Sequence, residues 1–316
     1  MNYHRSEITH MGTDPVVVAV GGNTLLGEHG SGTIEEQLDV IERTARRISG
    51  AIDAGYDVVL THGNGPQVGN LLLQQENTTE SPRLPLDVLV AETQAQIGYL
   101  LQQALDNEVS TPTDFVTLLT QVVVDADDPA FEEPTKPIGP CYTESRAAEQ
   151  PFETRRVSDA PRPYRRVVAS PAPIELVEED EIARLVERGG LVICGGGGGV
   201  PVVREDGLRG VEAVVDKDRS SSLLASTLGT DTLVILTDVE YAYADYGTPD
   251  RRPLRRVTAE DMRTRLDAGE FGAGSMRPKV EACIRFVESG GERAVITSPE
   301  RLLDALAADA GTQIVA

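Results

Sequence analysis

Val16 to Asn23 reads VVVAVGGN, and Asp57 to Pro66 reads DVVLTHGNGP. Each is a short apolar run that ends in glycine, the pattern of a buried strand feeding a tight loop. Between them Thr33 stands as a helix cap, with Glu36 in the reciprocal position of a capping box. Ile34, Leu38, Ile41, Ala45, Ile48 and Ile52 then recur at steps of three and four, and Gly55 ends the helix. A strand, a crossover helix and a second strand make a parallel pair, so both glycine loops leave the sheet at one edge. Ligands of open α/β sheets bind beyond that edge.

The alternation continues along the chain. Helices are expected near 87–106, 178–188, 219–228, 259–267 and 277–289, and strands near 115–124, 191–194, 232–237, 293–297 and 312–315. Residues 125–165 break the pattern with prolines and charges and no sustained period. Irregular segments of that length are usually functional, so a small protruding lobe or lid is predicted there. It would be inserted in a domain spanning 15–316, behind a polar and disordered tail of residues 1–14.

Charge excludes several partners. Among 316 residues, 51 are acidic and 29 basic, for a formal net charge of -22. That field repels nucleic acid and anionic membranes, so neither is expected as a partner. The acidic excess resembles proteins of salt-loaded cytoplasms. Cys141, Cys194 and Cys283 have no metal spacing and read as reduced thiols of a cytoplasmic protein. His4, His10, His29 and His62 are scattered, so no metal site is expected. No apolar run approaches a membrane span, and no apolar signal core opens the chain.

Three of the 29 basic residues are lysine: Lys136, Lys217 and Lys279. Arginine fills every other basic position, yet a planar guanidinium cannot replace a compact ammonium against a small anion. All three lysines lie in turn-rich segments, which points to phosphoryl transfer. Gly21-Gly22-Asn23 and Gly63-Asn64-Gly65 offer backbone amides at close range, the requirement for an anion cradle. The run Gly195–Gly199 is not a dinucleotide fingerprint, because a strand-like Val200-Pro201-Val202-Val203 follows where a helix is needed. Asp216-Lys217-Asp218 precedes a serine-rich helix start, and Asp216 can orient ammonium groups that clamp phosphates. Lys279 follows Gly274-Ser275-Met276 and begins a helix, where amides and ammonium can share one phosphate.

Together these segments resemble the carbamate kinases, a branch of the amino acid kinase superfamily. The resemblance covers nearly the whole chain. It rests on Gly21-Gly22-Asn23, HGNGPQVG from His62 to Gly69, TQVVVDADDPAFEEPTKPIGP from Thr120 to Pro140, and the segments 165–171, 211–218, 236–243 and 274–282. The resemblance implies a three-layer αβα sandwich around a mostly parallel sheet, a homodimer, and the reaction ATP + carbamate to ADP + carbamoyl phosphate. That reaction is often run toward ATP in arginine fermentation. Most relatives in the superfamily have a catalytic lysine at the end of the first strand, where this chain has Ala19 and Val20. The lobe would supply the replacement, Lys136.

By the same resemblance Lys217 and Lys279 contact ATP phosphates, with Asp216 as organiser. The adenine lies near Thr237-Asp238-Val239, Tyr243 and Met276, with Gly274 and Ser275 also binding the nucleotide. Gly21, Gly22, Asn23, Gly63, Asn64 and Gly65 hold the carbamate end, and Mg²⁺ bridges the nucleotide phosphates. The chain departs from the family pattern at Cys141, Pro163-Tyr164 and Ala169, all in or just after the lobe. A superfamily kinase with another small carboxylate or phosphonate acceptor would share the ATP site, but not these acceptor loops and lobe. A non-catalytic nucleotide sensor would have no reason to keep the three lysines.

The acidic surface makes a direct prediction. Screening lengths fall from about 10 Å at 0.1 M salt to about 3 Å at 1 M, which relieves repulsion among the carboxylates. The melting temperature should rise between those concentrations in a scanning calorimeter. A flat or falling trend would remove the salt-adapted reading.

Overall fold

The computed structural model describes residues 14–22, 33–77, 82–111, 113–272 and 276–316. The expected tail, 1–14, lies outside them except for Asp14. Val16–Val20 is central in an eight-stranded sheet, paired in parallel with Val58–His62 on one side and Thr232–Leu236 on the other. Leu191–Ile193 and then Phe115–Thr117 extend the sheet past Val58–His62. Arg293–Thr297, Thr312–Val315 and Arg256–Thr258 extend it past Thr232–Leu236. Among the described residues the only antiparallel pairing in this sheet joins Arg293–Thr297 to Thr312–Val315.

A central parallel strand is covered on both faces, which is why it reads as an unbroken apolar run. Val17 and Ala19 pack into a cluster with helices Lys217–Thr227, Ala259–Asp267 and Met276–Glu288. Val16, Val18 and Val20 face the opposite layer, built by Ile34–Asp53, Leu86–Glu108 and Leu302–Leu306. This is a three-layer αβα sandwich. Thr33 caps the first helix as expected, its side chain accepting from Glu36 N at 3.4 Å.

Two elements differ from the sequence expectation. The strand expected at 115–124 is two strands, Phe115–Thr117 in the main sheet and Gln121–Val124 in a second sheet. Thr120-Gln121 interrupts the apolar residues here, with no glycine or proline to mark the turn. The second sheet orders Leu208–Gly210, Val200–Arg204, Gln121–Val124 and Pro173–Leu176. Helix Gly65–Glu76 begins inside the stretch read as a loop. Its opening glycine and proline hide it, although proline lacks only an N–H that the first turn leaves unpaired anyway.

The segment 125–165 holds regular structure rather than a bare loop. Lys136–Tyr142, Tyr164–Val168 and Thr154–Arg156 form an antiparallel sheet of their own, with helix Glu144–Ala148 between the first and the last of these in chain order. Ile138 and Val168 seat this sheet in a cluster with Val68, Leu72, Leu86 and Leu89. Its contact with helix Gly65–Glu76 is backbone to backbone. A Cβ on Gly69 would lie 2.6 Å from Gly139 Cα, and Gly139 itself has φ +68°.

Gly69→Ala therefore forces the strand off the helix. Overpacking of this kind costs about 1–3 kcal/mol, so the melting temperature should drop by a few degrees. Gly50 sits in helix Ile34–Asp53 with nothing within 4 Å of a built Cβ. Gly50→Ala should hold or raise the melting temperature, and matching losses in both variants would refute the close-contact account.

Candidate active site

Helix Lys217–Thr227 starts at the sheet edge where Val16–Val20 and Val58–His62 end. Asp216 caps it, with its Oδ1 accepting from Asp218 N at 3.0 Å and from Arg219 N at 3.3 Å. The other Asp216 oxygen accepts from Lys136 Nζ at 2.5 Å, across 80 residues of chain. Asp218 binds the remaining two lysines, Lys217 on Oδ1 and Lys279 on Oδ2, the latter at 3.0 Å. All three lysines thus converge on two carboxylates at one helix N-terminus.

Burial and pairing oppose each other in this cluster. Burial alone would raise the Asp218 carboxyl, but Lys217 and Lys279 hold it well below the ordinary carboxylate range. Asp216 is likewise lowered: burial and the repulsion of Asp218 raise it, and Lys136 together with Lys217 overcomes them. Burial lowers Lys217, with Asp218 opposing the fall, whereas at Lys279 burial is overcome by Asp218 with Asp216 and Asp238, and the group is raised. Each ammonium has three N–H donors, and the carboxylate contacts leave donors for an incoming anion.

The glycine loops meet beside this cluster. A Cβ on Gly63 would stand 2.7 Å from Gly22 N and 3.5 Å from Lys217 Cδ, so the lysine stem runs along the loop. Gly63 N donates to Val20 O at 3.0 Å. Gly21 and Gly22 follow the first strand directly, and Gly65 opens helix Gly65–Glu76. Asn23 lies outside the described residues. Asn64 turns its amide inward, donating from Nδ2 to Thr93 Oγ1 at 3.0 Å. Ala19 and Val20 are fully buried, so the first strand presents no cation here.

Thr237, Asp238 and Val239 follow Thr232–Leu236 at the same sheet edge, with Thr237 N donating to Thr297 O at 2.8 Å. Asp238 lies close enough to add to the raised Lys279. Met276 opens the helix that carries Lys279. Tyr243 belongs to a short hairpin, its ring 4.8 Å below the Arg251 guanidinium carbon. Gly274 and Ser275 lie outside the described residues. A separate cleft of about 750 Å³ lies between the lobe and helix Gly65–Glu76 and includes Leu72, Tyr142, Arg146 and Arg166 but none of the three lysines.

Three participants were missed in the sequence. Asp218 holds two lysines, whereas the organising role was expected of Asp216 alone. The Asp-Lys-Asp signal was visible, but which acid faces which lysine depends on the helix phase. Gly195–Gly199 does not match a dinucleotide fingerprint, yet it packs under the site. A Cβ on Gly197 would lie 2.1 Å from Asn64 Nδ2, and one on Gly198 would lie 2.5 Å from Val215 O. Four of the five glycines have positive φ, from +59° to +89°, which only glycine adopts readily. Finally, Thr61 Oγ1 and Ser221 Oγ are 2.6 Å apart while Ser221 donates to Lys217 O at 2.7 Å. Ser221 has a single proton, so Thr61 is the donor between them, and strand and helix are pinned together.

The amino acid kinase family profile matches residues 14–298. The carbamate kinase of Halobacterium salinarum is 52% identical over 303 residues, covering 95% of this chain and 97% of that protein. The carbamate kinase of Pyrococcus furiosus is 48% identical over 309 residues, covering 95% and 98%. A carbamate kinase from Giardia lamblia solved with AMP-PNP superposes with a TM-score of 0.88 at 44% identity, covering 96% and 98%. The chain belongs to the amino acid kinase family. Within that family its place is among the carbamate kinases.

His62 supplies a pH test of this packing. Burial pushes its imidazole down from 6.5 to about 4, the bond to Gly63 opposing the fall and Lys217 adding to it. The unfolded chain therefore takes up this proton first as pH falls. The stability from neutral His62 is complete above pH 6.5 and is lost between 6.5 and about 4. At full extent that is roughly 3 kcal/mol. Denaturant midpoints across this window should fall less steeply in His62→Asn than in the parent chain. Identical slopes would show that His62 does not titrate as described.

Proposed function

We propose that this chain is a carbamate kinase, catalysing the reversible transfer of a phosphoryl group between ATP and carbamate to give ADP and carbamoyl phosphate. One observation carries the reading. Three ammonium groups are preorganised on two carboxylates at a helix N-terminus, facing two loops whose backbones approach through Gly22 and Gly63. Phosphoryl transfer needs little covalent help, so positioning and charge neutralisation do most of the catalysis. The named relatives support the same assignment.

In this reading Lys136, Lys217 and Lys279 neutralise the oxygens in transfer, while Asp216 and Asp218 aim them. Gly21, Gly22, Asn23, Gly63, Asn64 and Gly65 enclose the acceptor, with Asn64 contributing its backbone, since its side-chain amide is bonded to Thr93. The nucleotide lies over Thr237, Asp238, Val239, Tyr243, Gly274, Ser275 and Met276. The lobe acts as a lid that brings Lys136 to the site.

The oxygens of both aspartates are engaged by ammonium groups or helix amides. Among the described residues no group of His, Cys, Asp and Glu could hold a metal ion. Mg²⁺ fits this donor set as the companion of the nucleotide phosphates, whose charge it neutralises when bound. Helix Leu86–Glu108 exposes Val88 and Tyr99, beside the sheet-edge strand Phe115–Thr117 and exposed Leu119. That surface suits a second copy of the chain, giving a homodimer. Among the described residues no helix is long and apolar enough to cross a membrane, and a salt-adapted cytoplasm is the setting proposed, with flux toward ATP in arginine breakdown.

The direct test gives the purified chain ADP and carbamoyl phosphate and measures ATP. Lys136→Ala should lower kcat by about 10²–10³, the usual effect of losing one preorganised transition-state donor, while leaving the fold intact by circular dichroism. No ATP from the parent chain would sink the assignment. Near-parental turnover in Lys136→Ala would remove the lobe lysine from it.

A further inference from the structure

Thr93 and Gln94 are adjacent on helix Leu86–Glu108 and are 0% and 2% exposed. Burying polar side chains carries a free-energy cost unless each is hydrogen-bonded. Thr93 Oγ1 donates back to Leu89 O at 2.8 Å and accepts from Asn64 Nδ2 at 3.0 Å. Gln94 grips the main chain of Thr120 at both ends. Its Oε1 accepts from Thr120 N at 2.6 Å, and its Nε2 donates to Thr120 O at 3.2 Å. The same Nε2 donates to Gly196 O at 3.0 Å. Thr120 passes the restraint on, its hydroxyl accepting from Gly195 N at 2.9 Å.

Packing reinforces these bonds. A Cβ on Gly196 would lie 2.5 Å from Gln94 Cγ and 2.5 Å from His62 Nε2, so the glycine is held between the two side chains. Further along, Ser220 Oγ donates to Gly198 O at 2.7 Å, which links the glycine run to the helix of the lysine cluster. A shift of the run would therefore disturb Asn64 on one side and the helix N-terminus on the other.

We propose that Gln94 is a positioning residue for the acceptor side of the site. It fixes the Thr120 turn and the run Gly195–Gly199 against the Asn64 loop, and so sets where the small anion is held relative to Lys217. Only an amide serves here, because one main-chain N–H needs an oxygen while two main-chain carbonyls need N–H donors. Ionised glutamate has the same shape but turns an acceptor toward both carbonyls. The identity of the anion rests on the carbamate kinase reading; the fixing of the loops does not.

The test compares Gln94→Glu and Gln94→Leu with the parent chain in two measurements. Amide hydrogen exchange should speed up by roughly tenfold or more across Gly195–Gly199 and Asn64, with Thr232–Leu236 unchanged, since local opening is read out locally. In ATP formation, kcat/KM for carbamoyl phosphate should fall about 10²-fold, as for a misplacement of about 1 Å, with KM for ADP within about twofold. Gln94→Glu, unlike Gln94→Leu, should regain part of this loss as pH falls from about 8 to about 6. A buried carboxyl holds its proton in that range and can then donate one bond. Unchanged exchange in the loops overturns the proposal, and so does an equal loss toward ADP and carbamoyl phosphate. Faster loop exchange in a chain whose parent forms no ATP would overturn the carbamate kinase reading and leave the role of Gln94 standing.

Discussion

Asp216 and Asp218 hold every lysine of the chain at the N-terminus of one helix, and the site is arranged around those contacts. Taking charges out of water costs several kcal/mol per ion unless the partners are close and their remaining hydrogen bonds are met. Here the helix amides meet part of that demand for Asp216, and the helix dipole favours both acids. Three cations against two anions leave a surplus of positive charge. The cluster is thus incomplete until an anion arrives, and little reorganisation remains once it does.

The sheet determines where that surplus points. Val16–Val20 and Val58–His62 pair in register, so Val20 lies beside His62 and both chains turn outward at the same level. Gly22 and Gly63 then approach backbone to backbone, so the Gly22 main chain fills the space that a side chain on Gly63 would take, and the Lys217 stem runs alongside. With Ala19 and Val20 buried, a cation at this level must come from elsewhere in the chain. The strand Lys136–Tyr142 provides it, and the Gly69–Gly139 contact together with Ile138 keeps that strand near the helix behind the acceptor loop.

Much of this was legible from local pattern. The strand–helix–strand opening and the Thr33 cap are encoded within a few residues of where they act, and they stand where expected. The three lysines stood out because the chain uses arginine elsewhere. What was not legible depends on long-range register. Asp218 became the partner of two lysines only when helices Lys217–Thr227 and Met276–Glu288 packed together. The break between Phe115–Thr117 and Gln121–Val124 is held by Gln94 from helix Leu86–Glu108, a long-range contact that the local pattern does not encode. The glycine run resembles a nucleotide motif only in composition, and its positive φ angles serve a different purpose, close packing beneath Asn64.

The choice of lysine follows from the same geometry. Lys217 and Lys279 place two ammonium groups on one buried carboxylate, one on each oxygen. A guanidinium fork prefers both oxygens of a carboxylate for itself, as Arg263 does with Glu288 on the surface at 3.1 and 2.7 Å. Two such forks cannot share Asp218 in that way, and neither would leave the compact charge that a small phosphoryl group needs. Arginine could therefore take over exposed positions such as Arg263, where the fork has a carboxylate to itself. It could not take over the three positions where the carboxylates also serve as the scaffold of the site.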